Sequence, residues 1–232
     1  MSRYNRYGGY GGYNYGNRNY FNADEGKMKR DFMNYADPKT KQINEDGYVK
    51  MGKTLDIDIY TDIFMTYFVY KCGSTKMDYI TESEYITGLK SFQCNTLNEV
   101  KQKIVKVRED LLEINNNEFR NFYNFLFDLN VQGTEVEKKS KRIPYDVVEV
   151  YFNSLFTNQF PIVGEFLVYL KEKNVGLIWD EWRTFLDFIQ NEGVRFPKDY
   201  NVAGYYPVIV DEFYYWYCKK HGIKLPDPED EF

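Results

Sequence analysis

The stretch that decides the fold runs from Lys71 to Leu97 and reads KCGSTKMDYITESEYITGLKSFQCNTL. Its centre has the outline of an EF-hand loop. Numbered from Gly73, Ile80 falls at position 8 and Glu84 at position 12, where a bidentate glutamate would hold calcium. The other ligand positions do not follow. Positions 1, 3 and 5 are Gly73, Thr75 and Met77, and position 6 is Asp78 in place of the glycine that makes the sharp turn. The segment therefore reads as helix, short strand and helix without calcium. Thr81 to Glu84 has the Thr-x-x-Glu form of a capping box, opening a helix whose Tyr85, Ile86, Leu89 and Phe92 are spaced to face inward. A second box, Thr96 to Glu99, opens a longer helix with Leu97, Val100, Ile104, Val107 and Leu111 on one stripe.

Working outward, every strong apolar period is helical. Upstream, Leu55, Ile59, Ile63, Phe64, Tyr67 and Phe68 predict an amphipathic helix reaching Lys71, entered through a polar segment, Met28 to Lys53, with a turn at Asp37-Pro38. Downstream, Asn117 to Leu129 is aromatic enough to be largely buried, and the polar run Gln132 to Arg142 reads as a linker or long loop. Pro144 opens a helix from Tyr145 to Phe156, and Pro161 opens another to about Lys173, which Gly176 can terminate. Ile178 to Gln190 turns Trp182, Phe185, Leu186 and Ile189 inward and keeps Asp180, Glu181 and Asp187 at its polar edge. In Gly204 to Cys218, GYYPVIVDEFYYWYC, Pro207 suits a first helical turn. Val208, Ile209, Phe213 and Trp216 would bury one side of that helix while Asp211 looks outward beside them. The fold class is all-α.

Composition narrows the function. The 232 residues are 43% apolar and 19% aromatic, enough to fill a sizeable core. From Ile178 to Phe232 there are 11 acidic residues against 6 Lys and Arg, and 24 of each precede them, so the whole net charge of −5 lies in the last segment. A basic partner suits that segment better than nucleic acid or an anionic membrane. Cys72, Cys94 and Cys218 follow no metal spacing and His221 is the only histidine, so a disulfide scaffold, a zinc site and a Cys–His catalytic pair are poorly supplied. No metal, cofactor or catalytic residue is indicated. No run is apolar enough for a membrane span or signal peptide, and Ser2 excludes N-myristoylation, which needs glycine there. A reduced, soluble protein of the cytoplasm and/or nucleus is expected.

Residues 1–21 hold six Tyr, five Gly and three Arg with no acidic or branched aliphatic residue, and are expected to stay disordered. They are a passive tail, or one that stacks on single-stranded RNA or supports self-association. The expected organisation is a Tyr/Gly/Arg tail over residues 1–27 and a helical region over 28–222, divided into 28–131 and 143–222, with an acidic tail over 223–232. Two alternative functions follow from the residues alone: an EF-hand calcium sensor, and an RNA-associated protein acting through the tail.

Four stretches together resemble the defective-in-cullin-neddylation family and its potentiating-neddylation, or PONY, domain. Lys71 to Leu97 is similar to W-K-x-x-A-x-x-M-G-x-[FI]-[ST]-x-x-E-[FW]-x-x-G-[LM] followed by Cys-[DN]-[ST]-[IL]. Phe119 to Leu129, FRNFYNFLFDL, is similar to F-[KR]-x-F-Y-x-F-x-F-x-[FL]. Trp179 to Phe188 and Tyr200 to Phe213 are similar to D-x-W-x-x-[FL]-L-D-F and Y-[DN]-x-x-G-[AG]-W-P-V-[LI]-[IV]-D-[DE]-F. The order and spacing hold over residues 28–220.

The resemblance implies an all-helical domain with an EF-hand-like first part that binds no calcium. It also implies an accessory ligase factor without a nucleophile of its own. Such a factor binds the C-terminal region of a cullin and the neddylation conjugating enzyme, alongside the RING subunit, and gains rate through proximity. The family's cullin face, two aspartates and an alanine, maps to Asp180, Asp211 and Tyr205, the tyrosine being a departure. Its pocket for the acetylated N-terminal methionine of the conjugating enzyme maps to Ile86, Leu89, Phe92, Gln93, Cys94 and Leu97, with aromatic support from Tyr67, Phe122 and Phe125. A pocket wall and a core wall use the same side chains, so these positions also read as plain core.

Overall fold

A computed structural model describes residues 21–131, 137, 140–156, 158–198, 200–202, 204 and 206–225. These form eleven helices and one pair of two-residue strands, an all-α fold. Residues 1–20 and 226–232, most of the 132–142 run, and Tyr205 lie outside the described residues.

The segment from Met28 to Lys53, expected as a polar entry, carries two helices on either side of the expected turn at Asp37-Pro38. Helix α1 (Glu25–Met33) starts inside the expected tail, where the Asp24 carboxylate accepts from the Lys27 amide. Helix α2 (Glu45–Leu55) is capped by Asn44. Each buries a narrow stripe, Met28 and Phe32 in the first and Tyr48, Met51 and Leu55 in the second, which the charged residues between them hide in the sequence. The single helix expected from Leu55 to Lys71 is also corrected. α2 stops at Asp56, which is left-handed at φ 61°, and α3 (Ile63–Lys71) begins only after Asp62 accepts from the Phe64 amide. Ile59 sits in the loop between.

The turn before Ile80 and the turn before Ile43 are tied by a reciprocal pair of backbone hydrogen bonds, each 2.9 Å, in an antiparallel bridge. Two EF-hand-like halves result, of which only the second was legible. Glu84 at position 12 of that loop caps α4 (Glu82–Ser91): its carboxylate accepts from the Thr81 amide at 2.7 Å while the Thr81 hydroxyl receives the Glu84 amide. The second expected box is half made. Thr96 receives the Glu99 amide, but the Glu99 carboxylate goes to the Asn95 amide, and the expected long helix breaks into α5 (Leu97–Lys101) and α6 (Ile104–Leu112). The break carries the Lys103 ammonium back onto the carbonyls of Phe92 and Gln93, at 2.6 and 3.1 Å.

Helix α7 (Asn117–Asn130) leads to strand β1 (Arg142–Ile143), which pairs antiparallel with β2 (Leu177–Ile178). Between the strands lie α8 (Tyr145–Leu155) and α9 (Pro161–Lys173). The cap of α9 is Asn174 at φ 52°, not the expected Gly176. Gly176 instead serves the strand pair. A Cβ there would lie 1.7 Å from the Ile143 carbonyl oxygen, so only glycine lets the strands close. The fold ends with α10 (Trp179–Asn191) and α11 (Val208–His221), the latter stopped by Gly222 at φ 64°. A single apolar cluster runs from Met28 to Cys218 through all of these elements. Among the described residues no helix is long and apolar enough to cross a membrane.

Candidate functional site

The acidic residues of the last two helices are held in different ways. Asp180 lies in the first turn of α10, where the helix dipole favours a carboxylate. Its side chain is 65% exposed, with Arg183 at 3.5 Å as a loose partner. The neighbouring Glu181 turns back, accepting from the Ile178 amide at 2.9 Å and from the Arg142 guanidinium at 2.8 Å, and Asp187 pairs with Arg120. Of these three acids, Asp180 is the most exposed to solvent.

Asp211, expected to look outward, is half-buried. The Tyr200 hydroxyl donates to its carboxylate at 2.5 Å, and burial pushes the carboxyl pKa above its ordinary value in spite of that bond. Tyr200 is itself fixed by Phe188, Tyr206 and Tyr214, at ring distances of 6.0, 6.1 and 4.9 Å. Phe188 is eight residues beyond Asp180 on α10, about 12 Å of helix rise. Each of the two aspartates lies in the first turn of its helix. Val208, expected in the buried stripe, is 69% exposed. Pro207 is the N-cap, extended at ψ 152°, so Val208 becomes the first helical residue and the stripe moves to Ile209, Val210, Phe213 and Tyr214.

The residues expected to line a methionine pocket form a core wall. Leu89 and Leu97 are fully buried, Cys94 and Phe92 nearly so, and Ile86 is 9% exposed. Phe92 stacks on Phe68 at 5.8 Å, and Tyr67 bridges Phe92 and Phe122, so the aromatic support is present but fills the space. Gln93 alone of the six is exposed, at φ 51°. Four recesses near the amino-terminal half are lined by other side chains.

The recesses instead surround the loop from Asp56 to Asp62. One, of about 440 Å³, lies between α2 and the turn before α4, with Ile59, Met65 and Met77 as apolar lining, Tyr48 and Tyr60 as aromatic lining, and Glu45 and Asp78 as acids. A second, of about 300 Å³, continues past Ile59 and Tyr60 to Val147, Val150 and Tyr151 of α8. Tyr60 is 70% exposed, and its hydroxyl donates to Glu45 at 3.1 Å, a bond that raises the phenol pKa. Tyr48 is 6% exposed; its hydroxyl is buried without a hydrogen-bond partner among the described residues, and burial raises its pKa. Sequence reasoning missed this recess because its lining comes from three separated segments. The surviving signal is a pair of methionines, Met65 before the degenerate calcium loop and Met77 within it. Among the described residues no three His, Cys, Asp or Glu are placed to hold a metal ion.

Acids at two helix starts and an apolar recess beside a loop define a helical docking domain. Residues 99–216 match the family described as Cullin binding, and the chain belongs to that family. It is 24% identical to DCN1-like protein 5 of Homo sapiens over 186 residues, 80% of this chain and 74% of the relative. The same protein of Bos taurus gives 24% over 187 residues, covering 80% and 75%. DCN1-like protein 4 of Drosophila melanogaster gives 23% over 189 residues, covering 80% and 72%. The family match spans Asp180 and Asp211 and begins after Leu97.

Proposed function

We propose that this protein is an accessory factor in cullin neddylation that holds two partners together. The observation that carries the proposal is the Cullin binding match over residues 99–216, which takes in both acidic helix starts. Asp180, Tyr205 and Asp211 receive a basic surface of the cullin C-terminal region, Asp180 as an exposed charge and Asp211 as a carboxylate oriented by Tyr200. The acetylated amino terminus of the conjugating enzyme enters the amino-terminal half, and the RING subunit acts alongside. The open recess of Met65 and Met77 supports seating the methionine there, while Ile86, Leu89 and Leu97 are buried side chains of the adjoining core.

The chemistry then needs no acid, base or nucleophile from this chain. Burying a methionine side chain is worth about 1.5–3 kcal/mol. Acetylation removes an ammonium that would be costly to desolvate. The gain in rate comes from holding the charged conjugating enzyme near the cullin lysine, where effective concentration can supply several kcal/mol. The test is a reconstituted neddylation reaction with and without this protein, run with acetylated and unacetylated conjugating enzyme. Acceleration that depends on acetylation and is lost in Asp180→Lys/Asp211→Lys supports the proposal, and acceleration indifferent to both changes overturns it.

A further inference from the structure

Asp211 offers an incoming cation one oxygen where a free carboxylate offers two. Its Oδ1 accepts from the Tyr200 hydroxyl at 2.5 Å, a short, charge-assisted bond. Among the described residues the buried side-chain polar atoms without a partner are Tyr48 Oη and Asn124 Oδ1. The other Asp211 oxygen, Oδ2, also has no partner and is not among them, so it meets solvent.

Tyr200 is held where it stands. It is 8% exposed, with the rings of Phe188, Phe196, Tyr206 and Tyr214 around it at 6.0, 5.5, 6.1 and 4.9 Å. The nearby charges look elsewhere. Glu212, next on α11, accepts from the Tyr169 hydroxyl of α9 at 2.8 Å, and Glu192, at the end of α10, has Arg195 at 3.7 Å. Among the described residues no cation pairs with Asp211, so one that reaches Oδ2 comes from a partner. Asp180 differs: its carboxylate is 65% exposed, and its loose internal partner, Arg183, is itself a guanidinium.

The two cations a partner can bring differ in shape. A guanidinium gains its advantage over an ammonium from a planar fork that meets both carboxylate oxygens, while an ammonium is a compact charge that needs one. We propose that Tyr200 is a positioning residue that, by occupying Oδ1, makes Asp211 select a lysine over an arginine on the cullin surface. The proposal rests on the reading of Asp211 as a cullin contact and states which cation that contact takes.

The test uses the full chain and a cullin C-terminal region, untreated or treated with O-methylisourea, which converts lysines to homoarginines and keeps their charge. Binding is measured by calorimetry. Asp211→Asn gives the loss that treatment causes at other lysines, and the parent should lose about three- to tenfold more. Tyr200→Phe keeps the ring in its aromatic setting and clears Oδ1, so treatment should cost it no more than it costs Asp211→Asn. A parent that loses no more than Asp211→Asn, or a Tyr200→Phe variant that loses as much as the parent, overturns the selection. An Asp211→Asn variant that binds the untreated region as the parent does overturns the contact itself.

The pH profile separates positioning from packing. The Tyr200 hydroxyl opposes the effect of burial on the Asp211 carboxyl. In Tyr200→Phe the loss of binding to the untreated region on acidification should therefore begin at higher pH than in the parent. An unchanged profile would make Tyr200 a packing residue only and overturn its role. Circular dichroism spectra matching the parent's establish that both variants are folded.

Discussion

Tyr123 and Trp182 exchange hydrogen bonds across the middle of the molecule. The Tyr123 hydroxyl donates to the Trp182 carbonyl at 2.8 Å, and the Trp182 indole N–H donates to the Tyr123 carbonyl at 3.0 Å. Their rings stack at 4.4 Å with both side chains fully buried. The pair joins α7 to α10, so the two halves of the chain share one core and the start of α10 is held from beneath.

Tyr123→Phe keeps the stacking but leaves the Trp182 carbonyl without its side-chain donor. The carbonyl keeps its helical donor, so the loss is that of one net hydrogen bond, about 0.5–1.5 kcal/mol, which should lower the urea midpoint without changing the slope. Because Asp180 precedes Trp182 by two residues, cullin binding measured well below the midpoint should survive. A midpoint equal to that of the parent would show that the hydrogen bond contributes nothing net.

Asp31 is the corresponding tie in the amino-terminal half. Its carboxylate accepts from the Tyr85 hydroxyl at 2.6 Å and from the Leu97 amide at 2.7 Å, fastening α1 to α4 and to the start of α5. Asp31→Ala strands two buried donors, and a loss of about 2–5 kcal/mol is expected in chemical denaturation. Asp31→Asn, whose amide oxygen in the place of Oδ2 can still accept from both donors, should lose less. Equal losses would mean that the site tolerates open donors.

Asp211 sets the cost of its burial against the cullin contact proposed for it. Its folded pKa is raised by burial, so the native state holds this proton to higher pH than the unfolded chain. Stability from this group is therefore full below the unfolded value, near 3.8, and falls as pH rises through the folded value. Asp211→Asn cannot ionise. Its thermal midpoint relative to the parent should grow more favourable between pH 3 and pH 7, while its capture of the cullin C-terminal region weakens. A difference that stays flat across that window would remove the burial account of Asp211.

What the sequence made legible and what it hid follow from the range of the forces involved. The Thr81 to Glu84 box spans three residues and formed as read, since caps depend on near neighbours. The start of α11 moved by one residue because Pro207 took the cap position, enough to expose Val208 and half-bury Asp211. The break at Asp56 rests on a single left-handed residue inside a continuous apolar pattern, which periodicity cannot register. Ile86 and Leu89 face inward as their spacing required, but whether an inward face meets a neighbour or an open space depends on other elements. The recess is such a case: Tyr48, Ile59, Met65 and Met77 meet only because the loops of Ile43 and Ile80 are bridged.

That geometry makes two substitutions diverge that a pocket at Ile86 and Leu89 would make alike. Met77 is partly buried at the recess, so Met77→Arg places its guanidinium at an opening with Asp78 beside it. The thermal midpoint should change little, and the affinity for an acetyl-methionine peptide should fall by tenfold or more, about 1.4 kcal/mol. Leu89 is fully buried, and Leu89→Arg must bury an unpaired charge among apolar side chains, a change that should prevent folding at ordinary temperature. Circular dichroism separates the two before any binding is measured. A folded Leu89→Arg protein that loses the peptide, beside a Met77→Arg protein that keeps it, would return the methionine site to the α4 wall.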